Sequence, residues 1–529
     1  MSTGLRLHKI TNFLKRTESF RQGFVISTIL NMFSKVIGFL ATILTAFFFG
    51  SSTETDLFFF SMGTMGLLSG FLINLDSTKI IPEFMKLRAE GRKDQANNLF
   101  SFIFMAFFLI TATISILIIL NPMEWMSIFS KFDHAKISSH LTIIRWAAPF
   151  FIIITLNSLL IDVLASFKRF SLSIATGFAS NIISIILILF FHKSLGVKSV
   201  VIGGLFGGFV QGGILVYLVS RVSDCNFLPN KNPINKKFVR YISFSQGAYL
   251  FSVAGAFFPL YLLTGFSTGI ISALGYSQRL IDLLSFILIT QFSNVFAIKL
   301  NDLHIEHAFE KYPDFFVRMG KAALFFSIPI ITIVSVLSFE CISVIFLRGE
   351  FRHQEALNAA RFASVFVFLI PFLIVNTMVA RLVMATHKID RSFLFQLLMG
   401  ILAGASCFIG IHFFGAIGYP YSQIVFYAIN LLSVKFLLTH WFPWLRNFYG
   451  IFLFGIAVFM INCVIIPIDI LVKKSLVLCH PISIIIIIGL LHIIVFSIIA
   501  YSLKLYKPAN DFFKGAFNQK LFPRARTGC

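Results

Sequence analysis

Repeated apolar runs, each long enough to cross a bilayer, leave this chain almost no room for anything else. A membrane-spanning helix needs about 20 largely apolar residues. Such runs fall at 24–49, 56–80, 98–120, 141–166, 170–191, 199–220, 241–264, 268–297, 322–346, 359–380, 392–412, 417–438, 447–472 and 480–503. Over 529 residues, 57% are hydrophobic and 12% charged, which no water-soluble core accounts for. The expected fold is an all-α polytopic membrane protein with about 14 transmembrane helices. The hydrophilic segments at 81–97, 121–140, 221–240, 298–321 and 505–529 are too short to bury a core. Any chemistry must therefore occur among the helices. The first run exceeds a signal-peptide core and lacks a small-residue cleavage site, so it reads as a retained helix.

A net charge of +22 would suit a nucleic-acid binder if it were gathered on one face. Instead it is parcelled into alternate loops. Of the 44 Lys and Arg, 32 fall in the N-terminal segment, every second loop and the C-terminal tail, and nine fall in the opposite loops. That asymmetry is the positive-inside pattern and predicts both termini on the cytoplasmic side. No nucleic-acid partner is expected. Six cysteines show no CxxC and no paired spacing, so neither a disulfide framework nor a metal site is expected.

The chain resembles itself at an offset of about 220 residues. Leu67–Ile73 (LLSGFLI) parallels Leu283–Ile289 (LLSFILI), Pro149–Ile153 parallels Pro371–Val375, and Leu164–Lys168 parallels Met384–Lys388. An offset of six helices returns the second copy to the same side of the membrane, as in parallel repeats. The expected organisation is a cytoplasmic N-terminus (1–23), an N-lobe (24–220), a linker (221–240), a C-lobe (241–438), two further helices (439–503) and a tail (504–529). Two pseudo-symmetric six-helix lobes would leave a cleft between them that rocking exposes to each side in turn.

Ionisable residues at membrane depth are costly and mark substrate or ion paths by default. Lys35 lies mid-span, Asp56 opens the second span, and Arg279 and Asp282 sit one turn apart in the eighth. Each also has a plain account as a structural ion pair, Lys35 with Asp56 and Arg279 with Asp282. Arg145, beside Trp146, reads as snorkelling to the interface. Gly203, Gly204, Gly207, Gly208, Gly212 and Gly213 form overlapping small-xxx-small motifs that read as close helix packing rather than a phosphate loop. His304, Glu306 and His307 cluster in one loop but have no further ligand nearby, and read as an amphipathic surface. No nucleophile elbow, HExxH or Walker sequence occurs, so no catalytic residue or cofactor is expected.

Four stretches carry a family resemblance: Ser34-Lys35-Val36-Ile37-Gly38-Phe39; Phe49-Gly50 with Thr55-Asp56-Leu57-Phe58-Phe59; Ser272-Ala273-Leu274-Gly275-Tyr276-Ser277-Gln278-Arg279-Leu280; and Arg348-Gly349-Glu350-Phe351. In order and spacing they resemble the MurJ (MviN) family of lipid II flippases, within the multidrug/oligosaccharidyl-lipid/polysaccharide exporter superfamily. The resemblance implies transport of an undecaprenyl-diphosphate-linked peptidoglycan precursor across the bacterial inner membrane, through a cationic central cavity. It also implies a lipid-tail groove formed by the last two helices. By this resemblance Arg279 stands at a cavity arginine, Asp282 matches the acidic residue after it, and Lys35 replaces an arginine while keeping its charge. Ala41-Thr42 replaces a typical arginine–aspartate pair, and the Ser69-Gly70 region lacks the usual arginines.

The expected substrate-binding set is therefore Lys35, Asp56, Arg279 and Asp282. Arg279 would grip diphosphate oxygens bidentately and Lys35 would act as a point charge. The two aspartates would hold these cations between substrates. The expected partners are a lipid-linked glycan diphosphate and membrane lipids, with a coupling ion left open. The missing arginines keep other readings in play: a flippase for another polyprenyl-linked oligosaccharide, such as O-antigen or capsule, or a non-transporting scaffold. A drug antiporter would favour acidic cavity residues, and a glycosyltransferase would need carboxylates on a large outer loop.

Overall fold

The computed structural model describes residues 20–75, 79–223, 227–229, 236–290, 292–293, 296, 300, 303, 309–385, 393–441, 449–476 and 478–510. The His304–His307 cluster and most of the two terminal segments lie outside them. Among the described residues the chain is helical, with no strand. It divides into two compact units. One comprises Met1–Gly275 with Arg348–Phe351 and Phe393–Gly404, and the other Tyr276–Leu347, Arg352–Ser392 and Ala405–Cys529.

Among the described residues, eleven helices are long and apolar enough to cross a membrane, or twelve if the bent pair His353–Phe366 and Leu369–Leu382 counts as one span. The expected number of about 14 is not reached by this measure, for reasons that lie in particular segments. The expected 241–264 span coincides with the helix Lys236–Leu263, of which Tyr249–Leu263 counts as a shorter apolar helix among the described residues. The expected spans 392–412 and 417–438 share one apolar stretch, Leu397–Ser433. That stretch is not a single rod. A Cβ placed on Gly410 would stand 2.6 Å from Gly418 O, so the chain doubles back through the short helix Gly415–Ile417. Gly415 makes the turn at φ +64°, where a side chain would be strained.

In the first unit, α1 (Phe20–Phe49) and α2 (Thr53–Leu75) open the fold. They are followed by α3 (Ile81–Ala89) and α4 (Lys93–Leu120). The short α3 lies in the charged segment after the second span, where its last turn gathers Lys86 and Arg88. Pro149 interrupts the next span, giving α5 (Leu141–Ala147) and α6 (Phe150–Ser166). α7 (Phe170–Leu195) and α8 (Lys198–Ser223) then pack along their length, with α1 against α7. The glycines explain that closeness: a Cβ on Gly203 would meet Ser184 O at 2.9 Å, and one on Gly207 would overlap Ser180 O. This is the small-residue packing read from the sequence.

In the second unit, α9 (Tyr312–Val336) lies against α10 (Tyr449–Ser475) and α11 (Pro481–Ser502). Leu337, Ile484 and Ile488 form a buried apolar knot at one end of this group. Phe325 and Phe496 meet at 5.3 Å between ring centres.

Candidate functional site

Asp56 sits in the first turn of α2 and is 2% exposed. Such a buried carboxylate needs donors, since an unpartnered charge away from water costs several kcal/mol. It finds three. Gly269 N donates to Oδ2 at 2.6 Å, and Ser272 N and Ser272 Oγ donate to Oδ1, each at 2.7 Å. These donors are the open N-terminus of the Ile270–Ser285 helix, so Asp56 caps that helix from another element. One turn on, Phe59 fills the space a side chain at Gly275 would occupy. The Thr55–Phe59 and Ser272–Gly275 stretches quoted above are thus docked on each other. The Arg348–Phe351 stretch docks on α1 beside Phe49-Gly50: Glu350 N donates to Phe47 O at 2.9 Å, and Gly349 adopts φ +61° where a Cβ would overlap that same carbonyl.

Lys35 lies mid-way along α1 with its side chain exposed. Its neighbours on that helix face a polar strip. Asn181 Nδ2 donates to Ser34 O at 3.0 Å, and Gln211 Nε2 donates to Thr176 Oγ1 at 3.4 Å. Lys35 is not among the hydrogen-bond partners of Asp56. Arg279 and Asp282 are both exposed, three residues apart on the Ile270–Ser285 helix that Asp56 caps. Asp56 therefore fixes the starting point of the element carrying those two charges.

Sequence reasoning passed over a second polar group. Asn462 and Asp469 on α10 and His492 on α11 are each at 0% exposure and bonded together. The signal available was thin: an Asn and an Asp seven residues apart on one apolar helix, and a lone His in a run of Ile and Leu.

A helical chain with this many apolar spans, and with buried ionisable groups inside them, is a polytopic membrane protein by class. Several solved structures share the fold. The structure titled as lipid II flippase MurJ in an inward closed conformation superposes with a TM-score of 0.73 at 18% identity, covering 90% of this chain and 99% of that one. An inward-facing multidrug resistance MATE transporter of the MOP superfamily gives 0.58 at 13% identity, covering 79% and 98%. The sequence narrows the class, since the family described as lipid II flippase MurJ matches residues 45–479, and the chain belongs to that family. A probable lipid II flippase MurJ of Buchnera aphidicola is 29% identical over 363 residues, which is 63% of this chain and 67% of that protein. Another, of Borreliella burgdorferi, is 24% identical over 196 residues, or 36% of this chain and 38% of that protein. The family is one of transporters rather than enzymes.

Proposed function

We propose that this chain is a lipid II flippase, carrying an undecaprenyl-diphosphate-linked peptidoglycan precursor across the bacterial inner membrane by alternating access. The family match over residues 45–479 is the observation that carries this reading. In this reading the chain is multi-pass with both termini cytoplasmic, as the distribution of Lys and Arg favours. The prenyl tail stays in lipid, so only the head group needs a polar route.

Lys35 and Arg279 are the cations that meet the diphosphate. Both carry exposed side chains, which leaves them open to an anion. Asp282 tunes the charge beside Arg279, three residues away. For Asp56 the reading shifts: its oxygens are committed to Gly269 and Ser272, so it serves the substrate path by holding the helix that presents Arg279.

The test is rescue of cells depleted of their own lipid II flippase. Wild type should restore growth, and Arg279→Ala and Lys35→Ala should each reduce rescue, the double substitution abolishing it. Full rescue by the double substitution, with the protein present in the membrane, removes the cationic grip. Failure of wild type to rescue, with a different lipid-linked glycan accumulating in the source strain, would assign the chain to that other cargo.

A further inference from the structure

The polar group in the last two helices has no part in the head-group path described above. Asn462 and Asp469 stand two helical turns apart on α10, hence on one face, and His492 of α11 reaches between them. His492 Nδ1 lies 2.6 Å from Asp469 Oδ2, and Nε2 lies 2.7 Å from Asn462 Oδ1. Asn462 Nδ2 donates to Val458 O at 2.7 Å.

These contacts fix a proton count. A backbone carbonyl only accepts, so Asn462 must turn its amide nitrogen to Val458 and its oxygen to the ring. Nε2 of His492 therefore carries a hydrogen. The remaining contact, Nδ1 to Oδ2, holds exactly one more in either neutral form. If it sits on Oδ2, both side chains are uncharged. If the O–H bond breaks and an N–H bond forms, an imidazolium faces a carboxylate, again with no net charge. Taking that proton away leaves a net charge of −1, and adding another leaves +1. At full burial, the shared proton is what keeps the pair electrically neutral. Meanwhile Asp469 Oδ1 is buried with no hydrogen-bond partner, an unusual state for a buried polar atom.

Charged groups flank the pair on α10 and on the helices packed against it. On α10 itself, Lys473 follows Asp469 by one turn, about 6 Å along the axis. Lys473 Nζ bonds Glu340 Oε2 at 2.8 Å and Val336 O at 2.9 Å, and its side chain is partly exposed. Lys474, Cys463 and, at the far end, Tyr449 are the other ionisable residues on α10, and Cys341 lies beside Glu340 on the Ser338–Phe346 helix. From α9, Lys321 stands over the Phe454 ring at 5.8 Å, two turns from Asn462. On α11, His492 is the one ionisable side chain deep in the apolar run, with His480 just before the helix begins. A half-wet ion pair thus stands one turn from Asp469, at the end of the pair that carries Lys473.

We propose that Asp469 and His492 form a proton-binding site inside the C-terminal helix pair, loaded past Lys473 and Glu340, whose occupancy couples pH to transport. The coupling half rests on the flippase reading; proton binding itself does not. Two helices joined through one shared proton change from a neutral seam to a charged one when it leaves, and a charged seam in a dry interface cannot keep the same packing.

Infrared difference spectra of the purified full chain in lipid nanodiscs, recorded across the pH range in which it stays folded, test the site directly. The expected result is a titrating protonated-carboxyl band that Asp469→Asn removes and His492→Gln shifts in midpoint. A wild-type spectrum whose titrating carboxyl bands all survive Asp469→Asn overturns the site and leaves an inert clamp. Should Asp469→Asn not be recoverable, the His492→Gln spectrum decides, and a band unmoved there overturns the site equally. Because the spectrum needs no cargo, its failure is distinct from failure of the flippase reading. The coupling half is read from the pH profile of precursor export in flippase-depleted cells: it should flatten in His492→Gln, and an unchanged profile overturns it.

Discussion

At Asp56 three donors converge on one carboxylate, two of them backbone N–H groups that the Ile270–Ser285 helix cannot satisfy by itself. Hydrogen bonds to a charged acceptor contribute about 1.5–3 kcal/mol, and stranding buried donors costs a comparable amount. Asp56→Ala should therefore destabilise the chain by about 3 kcal/mol, with the start of that helix frayed. Asp56→Asn keeps one acceptor oxygen and should lose less. Thermal unfolding of the purified variants in detergent ranks them, and an alanine variant as stable as wild type would deny the cap. As a residue worth noticing, Asp56 was legible, since a carboxylate at a span's edge stands out against apolar neighbours. Its partner was not. The donors lie 213 and 216 residues away in sequence, and nothing local to Asp56 encodes that distance. The Asn462–His492–Asp469 line hid for the same reason, with its halves on separate helices and each half a lone polar residue in an apolar run.

Among elements, α8 was the most readable, because its glycines recur at the spacing that puts them on one helix face. The structure adds which glycines matter. Gly207→Ala should force α7 and α8 apart, since its Cβ would overlap Ser180 O, a backbone atom that cannot swing aside. Overpacking of this kind costs about 1–3 kcal/mol. Gly213 has nothing within 4 Å of where its Cβ would stand. Gly213→Ala should be neutral or stabilising by up to about 1 kcal/mol, because glycine weakens a helix interior. Unfolding of both variants beside wild type checks the contrast, and equal effects would mean that helix propensity, not contact, sets the outcome. Hydropathy was less informative about where spans end. It records how apolar a stretch is and not whether the stretch folds back; hydropathy runs on through Leu397–Ser433, and the turn at Gly415 falls in the gap left between the expected spans 392–412 and 417–438.

For the whole molecule the open question is what drives transport in one direction. Moving one charge across the membrane is worth about 2.3 kcal/mol per 100 mV. A diphosphate carrying about two negative charges outward would run downhill by roughly 5 kcal/mol per 100 mV of inside-negative potential, provided no ion moves with it. A proton at the Asp469–His492 site would add a second dependence, on pH rather than on voltage. The two separate experimentally. In cells supplied with potassium, valinomycin collapses the potential and leaves the pH gradient, whereas nigericin collapses the pH gradient and leaves the potential. Export of the lipid-linked precursor by the wild type should fall under valinomycin, because the substrate's own charge feels the field. It should fall under nigericin as well, and that second sensitivity should vanish in His492→Gln while the first persists. Export indifferent to valinomycin would mean that a counter-charge travels with the head group, and the uncompensated step would then be wrong.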